Sequence, residues 1–174
     1  MTPNSYLQLL DARVAGLRCL TPGDRSLPRV REEGGETWLV KRSSIYGAPD
    51  LFESQPDAQR SFDLARGGQL DVFLKVRRSR KGVAEVASYR IAIRGLPTPN
   101  ENHVSSLRYD KSQGQPRRGW DDELGDNPQH PWRHLHLNFD ASQAANVLRL
   151  PTGEVDPIVI LASFDYWYCA TYEV

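Results

Sequence analysis

The chain has 174 residues, of which 39% are apolar and 25% are charged, and its 22 basic and 22 acidic residues give a formal net charge of zero at pH 7. This length is typical of one domain, and this composition excludes an intrinsically disordered chain. The zero net charge excludes nucleic-acid binding driven by the charge of the whole molecule, so a charged partner would have to use a local surface.

The N-terminal part is predicted to contain two helices, one strand and polar loops. Residues 4–18 carry apolar side chains at helical spacing, and residues 37–40 have the composition of a short strand. A short helix is predicted over residues 57–65, ended by a pair of glycines. On this pattern, residues 1–66 form a helix-and-loop extension of the domain.

A β-hairpin is the clearest element of the sequence. Apolar side chains alternate with mostly polar ones over residues 70–77, and this period of two predicts a half-buried strand. Residues 79–82 are predicted to form the turn. The return strand, residues 83–94, has one apolar face, and its other face carries Ser88, Arg90 and Arg94.

The second half of the chain is predicted to complete the sheet and to end in a helix. Strands are expected at residues 104–110 and 132–139, and a short helix is expected between residues 140 and 150. The apolar residues 158–172 favour a C-terminal helix, although β-branched residues at its start leave a strand as the alternative. The sequence therefore predicts a single α+β domain, with an antiparallel sheet of about five strands and a C-terminal helix packed on one face.

The cysteines and the apolar segments predict a soluble protein of the cytoplasm. Cys19 and Cys169 form no C-x-x-C pair, which favours reduced thiols over a disulfide framework. The start of the chain lacks the features of a signal peptide. No apolar run approaches the roughly 20 residues of a membrane-spanning helix, so we expect no membrane association.

Histidines mark the candidate site. All four lie between positions 103 and 136, and three of them belong to the sequence HPWRHLH at residues 130–136. On an extended strand, His134 and His136 would share one face at a separation of about 7 Å. The connection that precedes this strand, residues 111–131, is longer than most loops in compact domains, and such loops are usually functional or disordered.

Acid–base chemistry on RNA is the first function that these residues suggest. Cleavage needs a base for the 2′-hydroxyl, an acid for the leaving oxygen and a cation for the phosphate charge. His134 and His136 can supply the first two groups because imidazole titrates near neutral pH. The cation would be Arg108, Arg117 or Arg118.

Two other functions use the same region. The histidines can share a divalent metal ion, with further ligands from the acidic residues Asp121, Asp122, Glu123 or Asp126, although no recognised ligand spacing is present. Alternatively, basic and aromatic side chains can bind nucleic acid without chemistry. The candidate binding set is Arg78, Arg80, Lys81, Arg90, Arg94 and Trp132.

Each feature also has a purely structural explanation. A pair of histidines on the outer face of a strand is often part of an ordinary polar sheet face. Basic residues on a hairpin also protect exposed strand edges from aggregation. The aromatic residues of the C-terminal segment are explained by core packing.

A family resemblance rests on short motifs between about residues 70 and 170. They are Tyr89-Arg90, Arg108-Tyr109-Asp110, His130-Pro131, and the pair His134 and His136, followed by a closing helix. This order resembles that of the TumE-like toxins of bacterial two-gene toxin–antitoxin modules. The resemblance implies an RNA or nucleotide target and a protein partner, and it implies site roles for Arg108, Tyr109, His134 and His136.

We therefore expect a nucleic-acid-acting protein of a bacterial toxin–antitoxin or antiviral defence system. It would cleave RNA as a ribonuclease-type phosphodiesterase without a cofactor, and its protein partner would be an antitoxin or a complex subunit. The alternative is a non-catalytic nucleic-acid-binding or protein-binding subunit of a larger defence or ribonucleoprotein complex.

Overall fold

The α+β class and the C-terminal helix are confirmed by the computed structural model of the chain. The structure describes residues 1–32, 36–43, 60–97, 104, 106–111, 133–138 and 147–174. Within these ranges lie two helices and eight strands: α1 (Pro3–Ala15), β1 (Arg29–Arg31), β2 (Thr37–Arg42), β3 (Phe62–Asp63), β4 (Gln69–Arg78), β5 (Ala84–Arg94), β6 (Ser106–Lys111), β7 (Arg133–Asn138), β8 (Val147–Pro151) and α2 (Pro157–Tyr172).

One antiparallel sheet contains all of these strands. Its order is β1-β2-β4-β5-β6-β7-β8, and β3 pairs with β4. The strands from β4 to β8 are neighbours in both sequence and space, because each pairs with the next one along the chain. The predicted hairpin is the β4–β5 pair at the centre of the sheet, and residues 133–138 are extended as predicted.

Both helices pack against the same face of the sheet. The apolar residues that alternate along β4, from Leu70 to Val76, are at most 1% exposed, and they contact apolar residues of α1 and α2 in one cluster. Helix α2 begins where the sequence indicates, because the Asp156 carboxylate accepts a hydrogen bond from the backbone N–H of Ile158 at 2.8 Å. Pro157 occupies the first helical position, where its missing N–H costs nothing.

The N-terminal part contributes to the sheet and to the core. Strands β2 and β3 both pair with β4, at successive positions along it. Together, β2 and β3 form one edge-to-edge row of pairs along β4, from Arg77 to Gln69. The predicted extension thus supplies α1 and three strands to the same domain.

The predicted helix at residues 57–65 is wrong over its described part. Phe62 and Asp63 pair with Leu70 and Gln69 as a short strand. The pair of glycines forms a turn and does not end a helix. Gly67 and Gly68 have φ angles of 101° and 92°, which lie in a region of backbone conformation that favours glycine. This turn folds β3 back onto β4.

The predicted helix between residues 140 and 150 is also corrected by the structure. Residues 147–151 form β8, which pairs with β7 so that Leu148 and Leu150 lie opposite Leu137 and Leu135. The five residues are too few to show a period, and pairing with β7 determines their conformation. Residues 140–146 lie outside the described ranges.

The hydroxyl of Tyr168 ties α2 to the β3–β4 turn. This fully buried side chain accepts a hydrogen bond from the backbone N–H of Arg66 and donates one to the carbonyl of Gly67, both at 2.9 Å.

Tyr168→Phe leaves both backbone groups without this partner, so we expect a loss of about 1–3 kcal/mol in the free energy of unfolding, measured with urea. Tyr166→Phe is the matched control because Tyr166 is 74% exposed. Equal stability of the two variants would contradict this role of Tyr168.

A polar face of the sheet as the candidate functional site

Charged side chains gather on the face of the sheet that is opposite to α1 and α2. Successive side chains of a strand point to opposite faces, so the residues between the core positions of β2, β4, β5 and β6 share this second face. We call it the polar face and define it by six residues: Lys41, Asp71, Arg90, Arg94, Arg108 and Asp110.

The carboxylate of Asp110 binds two arginines. Arg90 donates from Nε to Oδ1 at 2.8 Å, and Arg108 Nε lies 2.8 Å from Oδ2. Asp110 is buried, whereas the side chains of Arg90 and Arg108 are 38% and 31% exposed. The Arg90 contact is a charge-assisted hydrogen bond, which is a strong type, whereas the Arg108 contact is a close ion pair. The two contacts hold two partly exposed arginine side chains next to each other on β5 and β6.

A second carboxylate, Asp71, organises the neighbouring part of the polar face. Arg94 Nε donates to Asp71 Oδ2 at 2.7 Å, and the Ser61 hydroxyl donates to Oδ1 at 2.5 Å. Arg94 Nη2 also donates to the Ser61 oxygen at 3.0 Å, which closes a ring of three side chains. Asp71 is only 1% exposed, so this ring fixes Arg94 at the point where the chain returns to the sheet.

Most of the residues that define the polar face are cationic. Among these six described residues, four side chains are basic and two are carboxylates. Lys41 is buried, and desolvation lowers the pKa of its ammonium group from the usual value, as expected for a cation removed from water. The three arginines keep between 27% and 38% of their side-chain surface exposed. The polar face is therefore suited to attract an anion.

The backbone of β7 brings the two predicted histidines to the polar face. His136 is the pairing partner of Arg108, and His134 is the pairing partner of Asp110. Directly paired residues of antiparallel strands lie on the same face of a sheet. The structure therefore brings together the backbone positions of three of the four predicted catalytic residues, and Asp110 is a neighbour for which no separate role was predicted.

Tyr109 does not belong with them, which corrects its predicted site role. It lies between Arg108 and Asp110 in sequence, so strand alternation turns its side chain to the helix side. Its ring centroid is 5.6 Å from that of Phe164 in α2. Tyr109 therefore packs in the core and cannot contact a phosphate on the polar face.

The predicted basic surface divides into two groups. Arg90 and Arg94 lie on the polar face, whereas Arg80 and Lys81 lie in the β4–β5 turn. Arg78 is the last residue of β4, and its Nη1 lies 3.8 Å from Oε1 of Glu36. Arg78 is in phase with the core positions Leu70 to Val76 of β4, so strand alternation places it on the face opposite to Arg90 and Arg94. It also lies five positions along the strand from Phe73, the pairing partner of Arg90, which corresponds to roughly 17 Å. One continuous binding surface through all five residues is therefore not formed.

Several residues with predicted roles in RNA or metal binding lie outside the described residues. They are Trp132, Arg117, Arg118 and the acidic residues Asp121, Asp122, Glu123 and Asp126. Across the described ranges, no group of three or more histidine, cysteine or acidic side chains is arranged to hold a metal ion. The shared-metal interpretation of His134 and His136 remains a prediction.

Sequence reasoning missed Ser61, Asp71 and Lys41 as members of the site region. Alternation along β4 already places Asp71 away from the core face, and this was the available signal. Their grouping depends on the pairing of β2, β3 and β5 with β4, which the periodicity of a single strand does not contain.

The chain matches no protein-family model, no curated protein and no solved structure. None of the described helices is long and apolar enough to cross a membrane.

The β4–β5 hairpin contains a buried ion pair, Arg94–Asp71, and an exposed one, Arg77–Glu85. Comparing them tests whether the buried pair stabilises the fold more than the exposed pair does. Asp71→Ala removes the buried carboxylate that binds Arg94 and Ser61, and breaking such a pair is expected to cost roughly 3 kcal/mol in the free energy of unfolding. Glu85→Ala breaks the exposed pair with Arg77 and is expected to cost less than about 1 kcal/mol. Urea unfolding of both variants measures the difference, and similar losses would mean that Asp71 has no special role.

Proposed function

We propose that this protein binds RNA on the polar face and cleaves its phosphodiester backbone by acid–base catalysis through His134 and His136. The observation that carries the proposal is the pairing of β6 with β7, in which Arg108 lies opposite His136 and Asp110 lies opposite His134. The backbone positions of two residues that exchange protons near neutral pH therefore lie beside that of Arg108, on strands that carry the polar face.

Each position corresponds to one requirement of the reaction. One imidazole removes the proton of the 2′-hydroxyl, and the other protonates the leaving oxygen. Arg108 stabilises the charge that develops on the phosphate, and its ion pair with Asp110 fixes the guanidinium in advance. Asp110 is the pairing partner of His134 in the sheet, and we propose that its carboxylate orients that imidazole and stabilises its protonated form.

The resemblance to TumE-like toxins implies the same roles for Arg108, His134 and His136, whereas Tyr109, the fourth residue that it implies, lies on the other face of the sheet. Arg108 and the two histidines come from two motifs that are separated by more than 20 residues in sequence, and β6 and β7 bring their backbone positions close together. On this basis we propose that the protein is the toxin of a two-gene toxin–antitoxin module or a related defence component, and that an antitoxin is its protein partner.

A non-catalytic binding subunit is the second candidate. The observation that favours it is the group of three partly exposed arginines on the polar face, because arginines of this kind bind a phosphate backbone without any proton transfer. This function predicts RNA binding that weakens as salt is raised and that leaves the RNA intact.

RNA cleavage by the purified protein tests the first candidate. Total RNA at pH 7 is expected to be cut with and without EDTA, leaving 2′,3′-cyclic phosphate ends, whereas DNA of the same sequence stays intact because it lacks the 2′-hydroxyl. His134→Ala/His136→Ala is expected to lower the rate by at least about 100-fold. Gel electrophoresis of labelled RNA measures the rate.

Arg13→Ala is the matched control because Arg13 is an exposed cation of α1, on the helix side of the sheet. It should leave the rate unchanged. Cleavage that survives in the double histidine variant would remove both histidines from the mechanism. Cleavage that is lost with EDTA would favour the shared-metal interpretation, and intact RNA with salt-sensitive binding would favour the second candidate.

A further inference from the structure

An aromatic side chain lies among the charges of the polar face. Strand pairing places five residues in one row across the sheet, perpendicular to the strands: Lys41, Phe73, Arg90, Asp110 and His134. Phe73 is therefore flanked by a cation on each neighbouring strand. Adjacent strands are about 4.8 Å apart, so Phe73 and the backbone of His134 are separated by three spacings, or about 14 Å.

Phe73 is not part of the main core. It packs with Leu39 and Val30 in a small separate cluster on the side of the sheet away from α1 and α2. Leu39 is buried beneath this cluster, whereas Phe73 is only half-buried. An aromatic ring is thus held in place by apolar neighbours on one side and keeps accessible surface on the face that carries the arginines.

We infer that Phe73 is a stacking platform for a base of single-stranded RNA whose phosphate is bound by Arg90. This inference rests on the proposed function and names the form of its substrate. Unpaired bases stack on aromatic side chains, and basic groups nearby hold the backbone. In a duplex the bases are stacked on each other and paired, so their faces are not available to Phe73.

The distance between Phe73 and His134 along this row means that the two residues contact different nucleotides of the RNA. The separation of about 14 Å between Phe73 and His134 exceeds the length of a single ring or phosphate group. The base on Phe73 therefore belongs to a nucleotide next to the cleavage site, and Phe73 acts in positioning the strand. Lys41 lies buried on the far side of Phe73 and adds positive charge from beneath the surface.

The inference is tested with an RNA that cannot be cleaved. A fluorescein-labelled 2′-O-methyl oligoribonucleotide of about ten nucleotides lies within the usual site size of single-strand binding proteins, and its blocked 2′-oxygen prevents cleavage. Fluorescence anisotropy gives the dissociation constant. Phe73→Leu keeps the apolar contacts of the cluster and removes the aromatic face, so the dissociation constant should rise about 5- to 100-fold. Phe73→Trp should bind at least as tightly as the wild type.

Tyr166→Leu is the matched control, because Tyr166 is an aromatic residue with 74% exposure on α2, on the other side of the sheet. It should leave the dissociation constant unchanged. A duplex of the same sequence should compete at least about tenfold less well than the single strand. Wild-type affinity in Phe73→Leu, in a variant with unchanged circular dichroism and urea unfolding, would overturn the inference, as would equal competition by the duplex.

The outcome separates this inference from the proposed catalysis. Binding that depends on Phe73 with no cleavage of unmodified RNA would keep the stacking platform and refute the nuclease. Cleavage that depends on His134 and His136, together with binding that ignores Phe73, would keep the nuclease and refute the platform.

Discussion

The contact between Asp110 and its two arginines is the interaction on which the polar face depends. β5 and β6 are held together from the helix side, where Ile91 and Tyr109 pair within the core. Strand alternation then sends Arg90, Arg108 and Asp110 to the other side, where like charges on neighbouring strands would repel each other. A single buried carboxylate shared by both guanidinium groups offsets this repulsion and keeps the arginines close together.

The two faces of the sheet therefore differ in composition and in what they contribute to the structure. The helix side is apolar and well packed, and it supplies the stability that lets the other side hold buried charges such as Asp71 and Lys41. On the polar face, ion pairs fix side-chain positions before any ligand arrives. Preorganised charges of this kind are what binding and catalysis of an anionic substrate require, because the side chains need no rearrangement during the reaction.

Sequence patterns predicted the elements that are long or have strong local signals. The first strand of the β4–β5 hairpin shows eight residues of clear alternation, and α2 begins at the capping pair Asp156 and Pro157. The short strands β3 and β8 were assigned to helices, because two to five residues carry no period and pairing with a neighbour determines their conformation. His134, His136 and Arg108 can be identified as candidate site residues from the chemistry of their side chains alone. Their relation to Asp110, and the position of Tyr109 on the opposite face, depend on strand register, which appears only in three dimensions.

The shared line formed by β2 and β3 has a consequence for how this domain can diversify. Both strands are anchored independently to β4, so the sheet does not depend on the number of residues that join them. Long connections cost little free energy when both of their ends are fixed. A change in the number of residues between positions 43 and 61 is therefore compatible with the same pairing of β2 and β3 with β4, so chain length can vary here while the sheet keeps its geometry.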